Sequence, residues 1–134
     1  MLATTDGGRT WSPQPVPPGK GLYDLHFVDV QRGWAVGLNT VLATTDGGRT
    51  WTDMPLPPGD LSLLSTTFSG PDTGWVAGID LATQEGVILS TPDGGASWSR
   101  EESEPTALLR SITSVTTRNA WAGGTDILVR AATA

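Results

Sequence analysis

The side chains that could break or form a covalent bond are few in this sequence of 134 residues. There is no cysteine, which excludes a thiol nucleophile and a cysteine-ligated zinc site. The only tyrosine, Tyr23, precedes Asp24, and some glycoside hydrolases use a tyrosine as nucleophile. An enzyme acting on acidic sugars would also need clustered arginines to hold the substrate carboxylate. Because Arg9, Arg32 and Arg49 fall in turns away from Tyr23, we predict that this chain is not an enzyme.

Paired carboxylates could hydrolyse a neutral glycoside instead, one as acid and the other as base or nucleophile. Asp24, Asp60 and Glu101 lie at strand starts or in connections, from which they could approach one another. Their spacing selects no pair. A piece of a glycoside hydrolase is the alternative function to a non-catalytic binding scaffold.

A metal site is not predicted. Asp80 and Glu85 share one loop, but two carboxylates are far short of the roughly six to eight oxygens that calcium prefers. The lone histidine, His26, has no second histidine with which to share a metal ion. We expect no cofactor.

The elements that position these side chains follow from an internal repeat. The string LATTDGGRTW occurs unchanged at Leu2–Trp11 and Leu42–Trp51, and a third copy, LSTPDGGASW, ends at Trp98. A second marker has the pattern GWAVG, and its copies are Gly33–Gly37, Gly74–Gly78 and Ala120–Gly124. Both markers recur after 40 to 47 residues, a period typical of propeller blades or helical arrays.

Short apolar runs bounded by Gly, Pro, Asp or Asn favour strands over helices. Each repeat has four of them, which predicts a four-stranded antiparallel blade. The predicted strands A to D are Leu22–Val28, Trp34–Leu38, Thr40–Thr45 and Thr50–Met54, then Leu61–Phe68, Trp75–Ile79, Val87–Thr91 and Ser97–Arg100. The fold prediction is an all-β, partial β-propeller of about three blades: a half blade at 1–20 (strands C and D), full blades at 21–60 and 61–106, and a partial blade at 107–134 (strands A to C).

The DGG turn between strands C and D has a structural role. Its two glycines permit positive φ, and a short carboxylate can accept hydrogen bonds from N–H groups of its own turn. The tryptophan that follows can be buried against the blade. The predicted structural residues are Thr4, Asp6, Gly8, Thr10 and Trp11; Thr44, Asp46, Gly48, Thr50 and Trp51; and Thr91, Asp93, Gly95, Ser97 and Trp98.

These turns resemble the Asp-box of bacterial neuraminidase repeats, which is shared by sialidases, sortilin-type receptors and xyloglucan-cleaving endoglucanases. The resemblance implies that the glycoside-hydrolase alternative would be a piece of a sialidase or of a xyloglucan-cleaving endoglucanase. The longer pattern FVDVQRGWAVGLNTVLATTDGGRTW at Phe27–Trp51 is similar to the repeat of photosystem II stability/assembly-factor-like proteins. That resemblance covers nearly the whole chain. It implies a propeller that binds other proteins and has no known catalytic centre, and it does not by itself imply a photosynthetic role.

Three blades are fewer than the about four to eight of most propellers. The sequence opens on a strand C and ends after a strand C, so the terminal strands would have unpaired edges. Two explanations are open: the chain is a fragment of a longer protein, which we favour, or two copies join head to tail in a six-bladed ring.

Composition limits the partners. The net charge of −6 and the lack of a basic run argue against nucleic acid. The sequence has no run of about 18 apolar residues, so it predicts no membrane span, and the residues after Met1 do not have the pattern of a signal peptide. The compartment is therefore unknown, although a parent protein could carry an export signal upstream.

Binding is expected on the face opposite the Asp-boxes, where the repeats differ. This candidate face carries the B–C turns, with an insertion at Asp80–Glu85, and the D–A connections. Its predicted residues are Tyr23, Asp24, Asp60, Asp80, Glu85, Glu101 and Glu102. The predicted partner is a protein or a glycan.

Overall fold

The computed structural model describes residues 1–101 and 108–125 and the backbone of 128–131. These residues form strands and no helix. The strands are β1 (Leu2–Ala3), β2 (Ser12–Pro13), β3 (Leu22–Phe27), β4 (Gly33–Gly37), β5 (Thr40–Thr44), β6 (Thr52–Asp53), β7 (Leu61–Phe68), β8 (Gly74–Asp80), β9 (Glu85–Thr91), β10 (Ser99–Arg100), β11 (Leu109–Ser114), β12 (Ala120–Gly124) and β13 (Leu128–Ala131).

Four antiparallel sheets follow one another along the chain. The first is the pair β1–β2, the second and third are β3–β4–β5–β6 and β7–β8–β9–β10, and the fourth is β11–β12–β13. Within each sheet, consecutive strands are neighbours, as in the blades of a propeller. The all-β partial-propeller prediction is confirmed.

The D strands are shorter than predicted. Strand β6 covers two residues instead of five, because the N–H of Thr50 is bonded to the Asp46 carboxylate and not to strand C. The first residue after each D strand is still hydrogen-bonded to strand C or to the residue before it. The N–H groups of Gln14, Met54 and Glu101 donate to the carbonyls of Met1, Val41 and Ile88 at 3.0, 2.8 and 2.8 Å, respectively.

The insertion at Asp80–Glu85 lengthens a hairpin as well as a loop. Asp80 and Glu85 pair across β8 and β9, so only the four residues 81–84 form the turn, with Gln84 at φ 62°. In the preceding sheet, Gly37 pairs with Thr40 across a two-residue turn in which Asn39 has φ 47°. Asparagine tolerates this left-handed conformation better than most residues.

The A strands are irregular at one matching position. A bulge lies between Leu22 and Asp24 in β3, between Leu63 and Ser65 in β7, and between Leu109 and Ser111 in β11. The side chain after each of the first two bulges reaches the next A strand: Asp24 Oδ2 accepts the Thr66 N–H at 2.9 Å, and Ser65 Oγ accepts the Ile112 N–H at 3.1 Å. Successive sheets are thus joined by one repeated hydrogen bond.

Aromatic packing between the second and third sheets forms the largest core cluster. Trp34 stacks on Phe68 with ring centroids 3.5 Å apart and planes 5° apart, and its Nε1–H donates to the Gly94 carbonyl at 2.8 Å. Phe68 in turn meets Trp98 edge to face at 6.1 Å. The tryptophan of one strand B therefore packs against both strand A and the Asp-box of the following sheet.

Candidate functional site

Each Asp-box is closed by hydrogen bonds among its own residues. In the second box, Asp46 Oδ1 accepts the Thr44 hydroxyl and the Thr50 N–H, both at 2.9 Å, and Oδ2 accepts the Thr50 hydroxyl at 2.6 Å. The Thr44 hydroxyl also accepts the Gly48 N–H at 3.0 Å. The other boxes repeat this pattern around Asp6 and Asp93.

These hydrogen bonds stabilise the charged carboxylate. The hydroxyl of Thr50, and then its N–H, lower the pKa of Asp46 from 3.8 to about 2. Thr10 does the same for Asp6, whose pKa is also about 2, and Ser97 lowers the pKa of Asp93. The three carboxylates are consequently ionised at neutral pH, and their oxygens accept hydrogen bonds within their own turns.

Asp80 is buried and has a structural role, although it was expected to be an exposed residue of the candidate binding face. Its side chain is 6% exposed, and Oδ2 lies 2.9 Å from Nη2 of Arg100 while Oδ1 accepts the Ala82 N–H at 3.0 Å. The hydrogen bond from Arg100 is the main reason that the pKa of Asp80 is lowered. Asp80 therefore anchors the 81–84 turn to β10, and Glu85 is the exposed carboxylate of this hairpin.

Asp60 lies at the same junction. Its carboxylate accepts the Asn39 side-chain N–H at 3.0 Å, and its carbonyl accepts the Leu81 N–H at 2.7 Å. The Asn39 side-chain oxygen also accepts the Leu61 N–H at 2.7 Å. Asp60, in the connection between β6 and β7, thus contacts both the turn between β4 and β5 and the turn that follows Asp80.

The other residues of the candidate face are separate. Tyr23, at the β3 bulge, is exposed, and Asp24 is half-buried in its bond to Thr66. Glu101 accepts a hydrogen bond from the Ser90 hydroxyl and lines a groove beside the Asp-box turns, not beside the B–C turns as expected. Glu102 lies outside the described residues.

Three grooves lie between successive sheets, each beside the Asp-box of the earlier sheet. The middle groove, between the second and third sheets, has a volume of about 400 Å³. The first groove has about 1130 Å³ and the third about 490 Å³. The lining of the middle groove is Arg32, Trp34, Ala43, Thr44, Thr45, Thr50, Thr52, Met54, Pro71, Asp72, Asp93 and Gly94.

A family model matches residues 4–117 of the chain, and its description is photosynthesis system II assembly factor YCF48. The chain belongs to this family. The repeat resemblance predicted from Phe27–Trp51 is therefore confirmed. No curated protein is significantly similar to the chain.

Two solved YCF48 structures resemble the chain. YCF48 bound to D1 peptide is 29% identical with a TM-score of 0.73, and YCF48 from Cyanidioschyzon merolae is 28% identical with a TM-score of 0.71. Both similarities cover 90% of this chain but only 39% and 37% of those chains, so it spans less than two fifths of their length. An ancestral GH74 enzyme has a TM-score of 0.75 at 14% identity, covering 97% of this chain and 19% of that one, which shows a shared fold alone.

The sequence of this YCF48-family chain did not lead us to one groove-lining position, which is equivalent in the repeats but carries a different residue in each. Gln14, Met54 and Glu101 follow the three D strands and line the first, middle and third grooves, respectively. The signal was present in the sequence, because these residues occupy one repeat position and differ in chemistry. The grooves themselves could not be found in that way, since each is shared by two sheets.

Two further findings concern the described part of this YCF48-family chain. It holds no group of three or more His, Cys, Asp or Glu side chains arranged to bind a metal ion. None of its segments is a helix with the length and apolar character needed to cross a membrane.

Proposed function

We propose that this chain is a non-catalytic binding part of an assembly-factor propeller and that it binds a short, extended protein segment in the middle groove. Family membership supports a binding role, and a solved YCF48 structure contains a bound peptide. The proposal takes from that relative only the class of ligand, a peptide, and not its identity.

The composition of the middle groove carries the proposal. Met54 and Trp34 contribute apolar side chains to its lining, and the exposed residues Thr45 and Thr52 contribute hydroxyl groups. An extended peptide requires both features, because its backbone needs hydrogen-bond partners and its alternate side chains need apolar contacts. Arg32, held 3.5 Å from Asp29, adds a cation at the rim.

The state of the carboxylates supports binding without catalysis. A general acid or base works best with a pKa near the operating pH. A carboxyl group would need a raised pKa to approach neutral pH, whereas the pKa values of Asp46, Asp80 and Asp93 are all lowered. Asp24 and Asp60, proposed for glycoside cleavage, each accept a hydrogen bond within the fold.

The test is selection of random short peptides on the immobilised chain, followed by affinity measurement with the selected peptide. Met54→Glu places a charge in the groove lining and should weaken binding about tenfold or more. Glu85→Lys, a charge change on the candidate face, is the matched control and should leave the affinity unchanged. Binding that is lost in Glu85→Lys or Tyr23→Ala but kept in Met54→Glu would place the site on the candidate face instead. Failure to enrich any peptide would refute the proposal.

The glycosidase alternative is tested separately with a fluorogenic sialoside and with xyloglucan. We expect no release of product from either substrate. Turnover that disappears in Tyr23→Phe or Asp24→Asn would contradict the non-catalytic assignment.

A further inference from the structure

The third groove is the repeat equivalent of the middle groove. Every residue that lines the third groove occupies the same repeat position as a residue that lines the middle one. Their volumes are also similar, about 490 and 400 Å³, and both grooves lie beside Asp-box turns. An extended ligand that leaves the middle groove across the third sheet therefore meets a second groove of comparable size.

The two grooves differ in chemistry at matching positions. The strand C residue that pairs with the strand B tryptophan is Ala43 in the middle groove and Ser90 in the third. The first residue after strand D is Met54 in the middle groove and Glu101 in the third. These differences exchange apolar surface for a hydroxyl group and a carboxylate. The third groove is therefore suited to a polar or charged group of a ligand, and the middle groove to an apolar one.

Glu101 is held in the third groove with most of its hydrogen-bonding capacity unused. The residue is half-buried, and its Oε1 accepts a hydrogen bond from the Ser90 hydroxyl, which also lines the groove. Glu101 forms no ion pair with a residue that the structure describes. Because a carboxylate has about four acceptor sites, one hydroxyl donor leaves room for donors from a ligand.

Arg118 lines the same groove from the fourth sheet and has the opposite charge. It lies three residues before a strand B tryptophan, as Asp72 does in the middle groove, and it is exposed. Water and salt screen an exposed charge more strongly than a half-buried one, so Glu101 has the larger effect on a ligand inside the groove. The net charge of −6 adds a long-range attraction for cations.

We propose that the third groove is a second subsite for the same extended peptide and that Glu101 selects a basic side chain there. This inference rests on the proposed binding of a peptide in the middle groove. A lysine or arginine of the peptide donates to the Glu101 carboxylate, while an apolar side chain of the same peptide contacts Met54. Packed sheets are about 10 Å apart and an extended chain rises about 3.3 Å per residue, so the two side chains are about three to five positions apart.

The test is selection of random peptides with one fixed leucine, on the unaltered chain and separately on Glu101→Lys. We expect lysine or arginine to be enriched at a constant distance from the leucine on the unaltered chain, and aspartate or glutamate at that position on Glu101→Lys. Glu85→Lys changes the net charge equally at an exposed residue of the β8–β9 hairpin and should keep the basic preference.

The affinity of the selected peptide gives the size of the effect. Glu101→Gln keeps an acceptor for the Ser90 hydroxyl but removes the charge, so it should weaken binding about tenfold, by an amount that shrinks as salt is added. Circular dichroism of each variant verifies that the strands are retained.

Arg118→Gln distinguishes a basic ligand group from an acidic one. Removing a like charge should leave the affinity for the basic peptide equal or raise it, whereas a loss of affinity would show that Arg118 holds an acidic group and would overturn the inference. Peptides whose binding depends on Met54 but whose charge preference is absent, or is not reversed by Glu101→Lys, would overturn this inference and leave the proposed function in place. Failure to enrich any peptide would refute both.

Discussion

At the residue scale, the chain uses its most regular acidic residues for structure. Each Asp-box aspartate accepts hydrogen bonds from two hydroxyl groups and one N–H of its own turn. The charge of the carboxylate strengthens these bonds. The repeated aspartates are therefore part of what holds strands C and D together.

This arrangement predicts how acid destabilises the fold. The pKa of Asp46 is about 2 in the folded chain and 3.8 in its ordinary state, so the unfolded chain binds more protons between about pH 4 and pH 2. Stability from this group is fully present above about pH 4 and is lost as the pH falls towards 2. Urea midpoints measured across this range should decline accordingly.

Thr50→Val removes the hydroxyl that lowers this pKa most. We expect the pKa of Asp46 to rise towards 3.8, as seen in an NMR titration of its carboxyl carbon, and the loss of stability to begin at higher pH. Thr45→Val, the same change at an exposed threonine with no hydrogen bond to Asp46, should leave the titration where it is. Equal titrations in the two variants would contradict this account of the box.

At the element scale, the last glycine of the GWAVG marker has a steric reason. A Cβ on Gly37 would lie 1.7 Å from the Gly21 carbonyl oxygen, and one on Gly78 would lie 1.9 Å from that of Ser62. Both obstacles are backbone, so they cannot move aside as a side chain could. The strand A bulge thus approaches strand B at a point that leaves no room for a side chain.

Gly37→Ala should therefore destabilise the chain, by about 1–3 kcal/mol or more, as overpacking does. Gly21→Ala is the control across the same contact, since a Cβ there would meet nothing within 4 Å. It should change the free energy of unfolding by less than about 1 kcal/mol. Urea denaturation of the two variants measures the difference, and a Gly37→Ala variant as stable as the parent would show that the bulge can shift.

The first position of the same marker shows why one repeat differs. A Cβ on Gly33 or Gly74 would meet the ring of Phe27 or Phe68 at 2.7 or 2.4 Å. In the fourth sheet the paired residues are Ser114 and Ala120. Because the ring is gone, the Cβ of alanine fits, so the two substitutions are physically coupled.

The sequence predicted the sheets well because their markers are local. The Asp-boxes and the B–C hairpins depend on residues within one repeat, and they lie where the patterns indicated. The role of Asp80 could not be predicted, because it depends on Arg100, twenty positions away, and on two extra pairs in the hairpin. The placement of Glu101 was missed because the register beyond strand D decides which groove its side chain enters.

At the scale of the whole molecule, the sheets form a linear array in which each contacts only its neighbours. Such arrays have stabilities that add contributions from each unit and each interface. The third sheet has neighbours on both sides, whereas the pair β1–β2 makes only a short hairpin. Local stability should therefore be highest at the third sheet.

Native-state hydrogen exchange measures this gradient. The amides of Val76 and Leu89 should exchange only through global unfolding, which costs about 5 kcal/mol or more. The amides of Leu2 and Ala3 should exchange much faster, because their strand has one short partner. Uniform protection across all sheets would contradict the array description and indicate a single cooperative unit.

The closed hydrogen bonding of the Asp-box also bears on how such a molecule arises. Every polar contact of the carboxylate comes from within five positions along the chain, so the hydrogen bonds that the carboxylate accepts do not depend on the segments that flank the turn. A duplicated stretch of coding sequence would yield a correctly shaped hairpin in its new location at once, before any neighbouring residue had adapted. The unchanged copies at Leu2–Trp11 and Leu42–Trp51 are what recent copying of so self-sufficient a segment would leave behind.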